Sequence, residues 1–278
     1  MELNKDNRIG QGNTAEIFNV DDHKVLKLFR TGWHQSIIEQ EFANGRYVQK
    51  VLDCVPQVYE MIRIQDRSGI VYEKMNGVSM LKQMLTHIWK LNLYSRNLAR
   101  YHHHIHQTAT EGISLEMRSV KELLLVNINR VELISEEEKM VIRQYLKELP
   151  EEEVLCHMDF HPGNIMLEQD QYCVLDWMTA GWGSACADVA RTCLILKYGS
   201  VEHLPWLIKR LIKAIQYRIY REYFKEYLRI SGQNREQIDQ WELPLAAARL
   251  LEWTSEEEKQ MLLQLVNTGC DKLKRKEI

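Results

Sequence analysis

Cys156-His157-Met158-Asp159-Phe160-His161-Pro162-Gly163-Asn164-Ile165, followed by Val174-Leu175-Asp176-Trp177, is the stretch that decides the reading of this chain. It places an Asp and an Asn in one Pro-Gly loop between short apolar runs, and a second Asp closes the next run. A polar hairpin turn accounts for a few such residues, but not for H-x-D-x-x-x-x-N and L-D-W together. Phosphoryl transfer needs this inventory: a carboxylate that takes or orients a hydroxyl proton, and oxygen ligands that hold Mg²⁺ on the phosphates. Asp159 fits as the base. Asn164 and Asp176 fit as ligands of a hard cation that binds few protein oxygens and leaves the rest to phosphate and water.

Working outward, Ile9-Gly10-Gln11-Gly12-Asn13-Thr14-Ala15 lies between two strand patterns. Glycines there let backbone N–H groups approach phosphate oxygens with no Cβ in the way; an ordinary hairpin turn is the competing reading. Gly10, Gly12, Asn13 and Thr14 are the candidate nucleotide contacts. Lys27 sits in the next strand between Leu26 and Leu28, where an ammonium can pair with the α- and β-phosphates. Its partner is expected on the following helix, where Glu39 and Glu41 both qualify. Their side chains point about 200° apart, so one of them faces inward. Glu41 is preferred. Tyr72-Glu73-Lys74-Met75-Asn76-Gly77 resembles a kinase hinge, and that resemblance implies that the Glu73 carbonyl and the Met75 N–H read a nucleobase. A strand that simply ends at Asn-Gly is the alternative.

These elements, in this order, resemble the aminoglycoside phosphotransferase and choline kinase-like family, the small-molecule branch of the protein-kinase-like enzymes. H-x-D-F-H-P-x-N with L-D-W carries the resemblance. Asp176-Trp177 through Ala180, Gly181 and Gly183 to Asp188-Val189-Ala190 continues it, as does the usual distance from Glu41 to Val55-Pro56. Met178, where the family often has an acid, and Ser184-Ala185, where Asp-Pro is frequent, depart from it. The resemblance implies an α+β, protein-kinase-like bilobal fold. A small mixed β-sheet N-lobe would span residues 1–77, and a larger, mainly helical C-lobe residues 78–278. It also implies transfer of the γ-phosphate of ATP or GTP, with Mg²⁺, to a hydroxyl of a small acceptor. Asp188 would brace the catalytic loop. Twelve positions separate Asp176 from Asp188 and no A-P-E intervenes, which leaves no room for a protein kinase's activation segment. A nucleotide-binding pseudokinase or scaffold is the other alternative, and the presence of Lys27, Asp159, Asn164 and Asp176 argues against it.

The surrounding pattern agrees. Glu16–Val20 and Val25–Phe29 read as a hairpin about Asp21-Asp22, and Ile37 to Leu52 reads as a helix. Strands are expected at Gln57–Ile64 and Ile70–Glu73, with a turn at Asp66-Arg67-Ser68-Gly69. Helices follow over residues 79–89, 92–108, 116–131 and 136–148, the last opened by a Ser135/Glu138 capping box. Thr254 or Ser255 caps the final helix. In Tyr101-His102-His103-His104-Ile105-His106, His102 and His106 share a helix face, but no H-E-x-x-H forms and packing is preferred to a metal site. Trp182, Trp206, Trp241 and Trp253 read as core or cleft walls.

The 278 residues are 45% hydrophobic and 27% charged with a net charge of −3, which excludes a disordered chain and gives no nucleic-acid footprint. The compact basic run from Lys272 to Lys276 reads as a solvated tail. The apolar runs are too short for a membrane span, Met1 to Asn7 is polar, and six scattered cysteines read as thiols. The expected compartment is the cytoplasm, with no nucleic-acid or membrane partner. The acceptor is expected to lie against the helices after residue 200, with Trp206, Tyr217, Glu222, Tyr223 and Trp241 as candidate lining.

Overall fold

The computed structural model describes residues 7–276 apart from 13, 111, 170, 200–204 and 253, so Asn13 of the glycine loop and Trp253 lie outside the described residues. In chain order the strands are β1 Arg8–Gln11, β2 Ala15–Asn19, β3 Lys24–Phe29, β4 Val58–Ile64, β5 Arg67–Glu73, β6 Val78–Ser79, β7 Val154–Cys156, β8 Ile165–Glu168, β9 Gln171–Val174 and β10 Gly181–Gly183. The helices are α1 Gln35–Val51, α2 Met80–Thr86, α3 Leu91–His106, α4 Ile113–Glu116, α5 Val120–Arg130, α6 Glu136–Glu148, α7 Ala185–Tyr198, α8 Trp206–Ser231, α9 Arg235–Asp239, α10 Glu242–Arg249 and α11 Glu256–Lys276. The chain packs as two compact units. The first is Met1–Thr86 with Pro162–Ala180, and the second is His87–His161 with Gly181–Ile278.

In the first unit a five-stranded sheet has the order β1-β2-β3-β5-β4. Every pairing in it is antiparallel, which corrects the expectation of a mixed sheet. The cause is local: α1 carries the chain past the edge, and β5 then inserts between β3 and β4, giving each an antiparallel neighbour. Central β3 packs on both faces. Phe29 joins Ala15, Ile38, Val58 and Ile70 on one side, while Leu26 and Leu28 join Phe18 and Val71 on the other. That explains why β3 carries apolar residues on both faces, interrupted by Lys27. The β4–β5 turn is tighter than expected. Ile64 pairs with Arg67, so Gln65-Asp66 makes the turn, with Gln65 at φ 56°, and Arg67 to Gly69 belong to β5. Arg67 is drawn into the ladder because its guanidinium donates to the Phe29 and Leu28 carbonyls and to Glu16. A second sheet, β6-β8-β9, seats Gly77 so close to Leu167 that a Cβ would fall 2.5 Å from the Leu167 carbonyl oxygen.

The second unit is helical apart from the β10–β7 pair. Helices α3 and α8 run parallel in a fixed register: Arg218 bonds Asn92, Arg96 bonds Glu222 and Arg100 bonds Glu226, all at one sequence offset of 126. The expected helix over 116–131 is two helices. Met117 is extended, and the Ser119 side chain caps α5 by accepting the Glu122 N–H. The Ser135/Glu138 capping box is present, and Ser255 accepts the Glu258 N–H at the start of α11. The basic run at Lys272 lies within α11 instead of forming a tail, and Lys274 pairs with Glu137 at 2.6 Å. All six cysteines are free and buried. Among the described residues no helix is long and apolar enough to cross a membrane.

Candidate active site

Helix α1 buries Ile38, Glu41, Asn44, Gly45 and Val48, a stripe at helical spacing that includes one carboxylate and one amide. Both polar side chains find partners. Lys27 Nζ, on β3, donates to Glu41 Oε1 at 2.7 Å and to Asp176 Oδ1 at 3.1 Å. The Tyr72 hydroxyl donates to the same Glu41 oxygen at 2.9 Å. Glu39, by contrast, is exposed and accepts from Gln35. Burial opposes the Lys27 charge, but two carboxylates more than offset it, so the ammonium is held above its ordinary range. Burial, together with the nearby Asp176 charge, raises the Glu41 carboxyl even though Lys27 pulls it down. The two carboxylates thus set the direction for Lys27, whereas burial sets it for Glu41.

One helical turn beyond Glu41, Asn44 Nδ2 donates to the carbonyl oxygens of Trp177 (3.0 Å), Met178 (3.4 Å) and Ala180 (3.2 Å). Thus α1 fixes both Lys27 and the segment after Asp176. Asp176 itself is left-handed, at φ 63°, a conformation that costs a non-glycine residue on the order of 1 kcal/mol or more and persists when its surroundings impose it. Asn164 and Asp176 come together at one end of the β8–β9 hairpin, where the Leu175 N–H donates to the Asn164 carbonyl at 2.8 Å. A carboxylate and an amide oxygen just beyond the open end of this hairpin fit the needs of Mg²⁺.

The glycine loop joins β1 to β2. Gly12 N–H closes onto the Ala15 carbonyl at 2.9 Å, its own carbonyl accepts from Arg30, and the Thr14 carbonyl accepts the Arg30 N–H. Gly10 and Gly12 have ordinary φ, and a Cβ on either would meet nothing closer than 3.5 Å. The fold itself therefore gives no reason for glycine at these two positions. Glu73 ends β5, its N–H donating to the Gln57 carbonyl, and Met75 follows directly.

In the second unit, Asp159 stands on a loop held by one face of α7. Fully buried Asp188 accepts the His157 N–H at 2.5 Å and the Met158 N–H at 2.8 Å. Arg191 Nε donates to the Met158 carbonyl, and Thr192 Oγ1 to the Phe160 carbonyl. These α7 residues, at i, i+3 and i+4, keep Met158 left-handed at φ 61°. Asp159 N–H is 3.2 Å from His157 Nδ1, and its carboxylate lies 3.7 Å from His161 Nε2.

Beneath the loop, His106 Nε2 bonds Asp188 Oδ2 at 3.2 Å, and its Nδ1 meets the Tyr227 hydroxyl. His102 Nδ1 meets the Tyr223 hydroxyl at 2.7 Å; its Nε2 is 3.1 Å from Asp188 Oδ2 but not aligned for a hydrogen bond. Burial lowers His102 to about 4, so the ring is neutral near pH 7. Burial would raise Asp188, but its histidine neighbours hold it well below the carboxylate range. The two histidines are thus packing and bracing residues. Asn44, Tyr72, His102 and His106 escaped the sequence reading as members of the site. The Asn44 and His106 positions, each one helical turn from a marked residue, were the available signal. Of the expected acceptor lining, Tyr223 is a core residue and Glu222 is buried against Arg96 because α8 packs on α3 over this stretch, and Trp241, just before α10, is a core residue as well. Trp206 and Tyr217 are exposed, so Trp206 is neither core nor packed wall.

Comparison with known proteins bears on these arrangements. The solved structures with a similar fold include a thermostable mutant of the aminoglycoside phosphotransferase APH(4)-Ia in ternary complex with ADP and hygromycin B. It has 14% identity and TM-score 0.62, with 96% of this chain and 92% of that one covered. A choline/ethanolamine kinase family protein from Mesorhizobium loti has 13% identity and TM-score 0.58, covering 96% and 86%. A choline kinase from Cryptosporidium parvum Iowa II has 12% identity and TM-score 0.52, covering 99% and 91%. At such identities the likeness shows the fold. No curated protein sequence matches. Residues 7–241 match the model of the phosphotransferase enzyme family, and the chain belongs to that family.

Proposed function

We propose that the protein is a small-molecule kinase that transfers the γ-phosphate of ATP or GTP to a hydroxyl of a small acceptor. The observation that carries this reading is the double engagement of Lys27 by Glu41 and Asp176. Lys27 would meet the α- and β-phosphates, while Gly10, Gly12, Asn13 and Thr14 would border the phosphates. The Glu73 carbonyl and Met75 N–H would read the base. Asn164 and Asp176 would hold Mg²⁺, which supplies charge neutralisation on the phosphates. Asp159 would take the acceptor's hydroxyl proton as the new O–P bond forms and the bond from the γ-phosphorus to the bridging oxygen breaks. The family membership and the ADP, aminoglycoside and choline named for similar structures support this class. The proposed division of labour assigns nucleotide contacts to residues 1–77 and the catalytic loop and acceptor to residues 78–278.

The test is nucleotide consumption and product formation with ATP and GTP over aminoglycosides, choline, sugars, homoserine and nucleosides. Phosphorylated product with one acceptor class is the expected result. Nucleotide binding without turnover across the panel would overturn the proposal in favour of a nucleotide-binding scaffold, and absence of both would overturn it outright.

A further inference from the structure

Residues Trp206 to Arg221 contain Lys209, Arg210, Lys213, Arg218 and Arg221 and no acid. The register that pairs Asn92 with Arg218 sets the start of α3, Leu91, beside Tyr217, so the first three turns of α8 run roughly 16 Å past α3. On this overhang Trp206 is 63% exposed and Leu211 62%, with Leu207 and Tyr217 similar. At the adjoining end of α3, Trp89 is 75% exposed and Leu93 is also exposed. Contiguous exposed apolar side chains rimmed by charge mark an interaction surface. It is not the reacting centre: Tyr223, beneath the Asp159 loop, lies 17 positions along α8 from Trp206, or about 25 Å of helix.

We infer that this end of α8 docks on an anionic phospholipid surface. On the wheel of α8, Arg210, Arg218 and Arg221 sit amid the exposed Trp206, Leu207, Leu211 and Tyr217, a basic amphipathic face suited to a bilayer interface. The Arg210 guanidinium lies over the Trp206 ring, 5.7 Å from its centroid, a cation stacked on an aromatic face at the helix surface. Among the described residues, the acids on α8 are paired, Glu222 and Glu226 being buried against Arg96, Arg100, Arg221 and Arg229, and Glu257 of α11 faces Lys209 at 3.7 Å. A second copy would set like charges against one another, which disfavours self-association. The exposed face carries its apolar groups interleaved with arginines, a mixture that a fluid, negatively charged interface accommodates more readily than a preformed protein groove. The sequence alone led to the expectation of no membrane partner, because its apolar runs are too short to span a bilayer; adsorption requires no span.

The test is sedimentation of the full chain with vesicles of phosphatidylcholine alone or with phosphatidylglycerol. Binding is expected with the anionic vesicles and should weaken as salt rises. Arg210→Glu with Arg218→Glu, and separately Trp206→Ala with Leu211→Ala, should each reduce vesicle affinity at least about tenfold while thermal unfolding stays cooperative. Failure of the wild-type chain to bind anionic vesicles overturns the inference. So does binding that both variants retain, or a dimer or acidic-protein complex formed through this face without vesicle binding.

Discussion

Lys27 and Asp176 stand 149 positions apart in sequence and 3.1 Å apart in space, with Glu41 on the other side of the same ammonium. Lys27→Met leaves two carboxylates facing each other in a buried site, so it should cost about 3–5 kcal/mol of stability. Lys27→Met with Glu41→Gln should recover part of that loss in urea unfolding, since the second change removes the stranded charge. Equal losses in the single and double variants would show that Glu41 does not depend on Lys27.

Asn44 joins the same helix to the segment after Asp176 through three carbonyl oxygens. Asn44→Ala should lower stability by about 1–3 kcal/mol and raise the Mg²⁺ concentration needed for half-maximal activity. Titration of activity against Mg²⁺ separates the roles: lost stability with an unchanged Mg²⁺ response would confine Asn44 to packing.

Asn164→Ala and Asp176→Ala each remove an oxygen from the same end of the β8–β9 hairpin. Both should shift Mg²⁺ half-saturation upward, with the carboxylate the more costly loss. Unchanged half-saturation in both variants contradicts the metal assignment.

Asp159→Asn should slow phosphoryl transfer by about 10²–10⁴-fold while nucleotide still binds. Single-turnover kinetics beside nucleotide titration provides the check. Near-normal turnover removes Asp159 from the role of base.

His102 gives stability a pH dependence of definite sign. Above its ordinary 6.5 the ring is neutral whether folded or unfolded; between there and about 4 the unfolded ring takes a proton that the buried one refuses. Stability should therefore fall as pH drops through that window, by up to about 3 kcal/mol. Asp188, also depressed, extends the loss to lower pH. His102→Gln should flatten the profile between 6.5 and 4; an unaltered slope assigns it to other groups.

The parts of the candidate site that the sequence singles out are those whose chemistry fixes residue type and spacing, and of these Lys27, Glu41 and Asp176 meet in the fold. Lys27, Glu41, Asp159, Asn164 and Asp176 belong to one recognisable order, and the Ser135/Glu138 box is a short-range signal. Asn44 was hidden because an amide at that position acquires meaning from carbonyls more than 130 positions away. His102 and His106 were visible as a face of α3, but their convergence on Asp188 depends on α7 and the tertiary packing. The β4–β5 turn was misplaced for a local reason. Ser68-Gly69 has the composition of a turn, yet Gly69 is needed in β5, where a Cβ would sit 2.7 Å from Leu26 Cδ1.

The common offset of α3 and α8 makes their three cross-links behave like teeth on two racks of equal pitch. Inserting a single residue between Asn92 and Arg100, or between Arg218 and Glu226, turns everything beyond it by about 100° and disengages the remaining teeth together. The overhang before Tyr217 escapes that constraint. Descendants of this sequence can recompose its exposed Trp206, Leu207, Arg210 and Leu211 without disturbing the Tyr223 and Tyr227 contacts beneath the Asp159 loop, so surface attachment and catalysis are free to diverge at different rates along one helix.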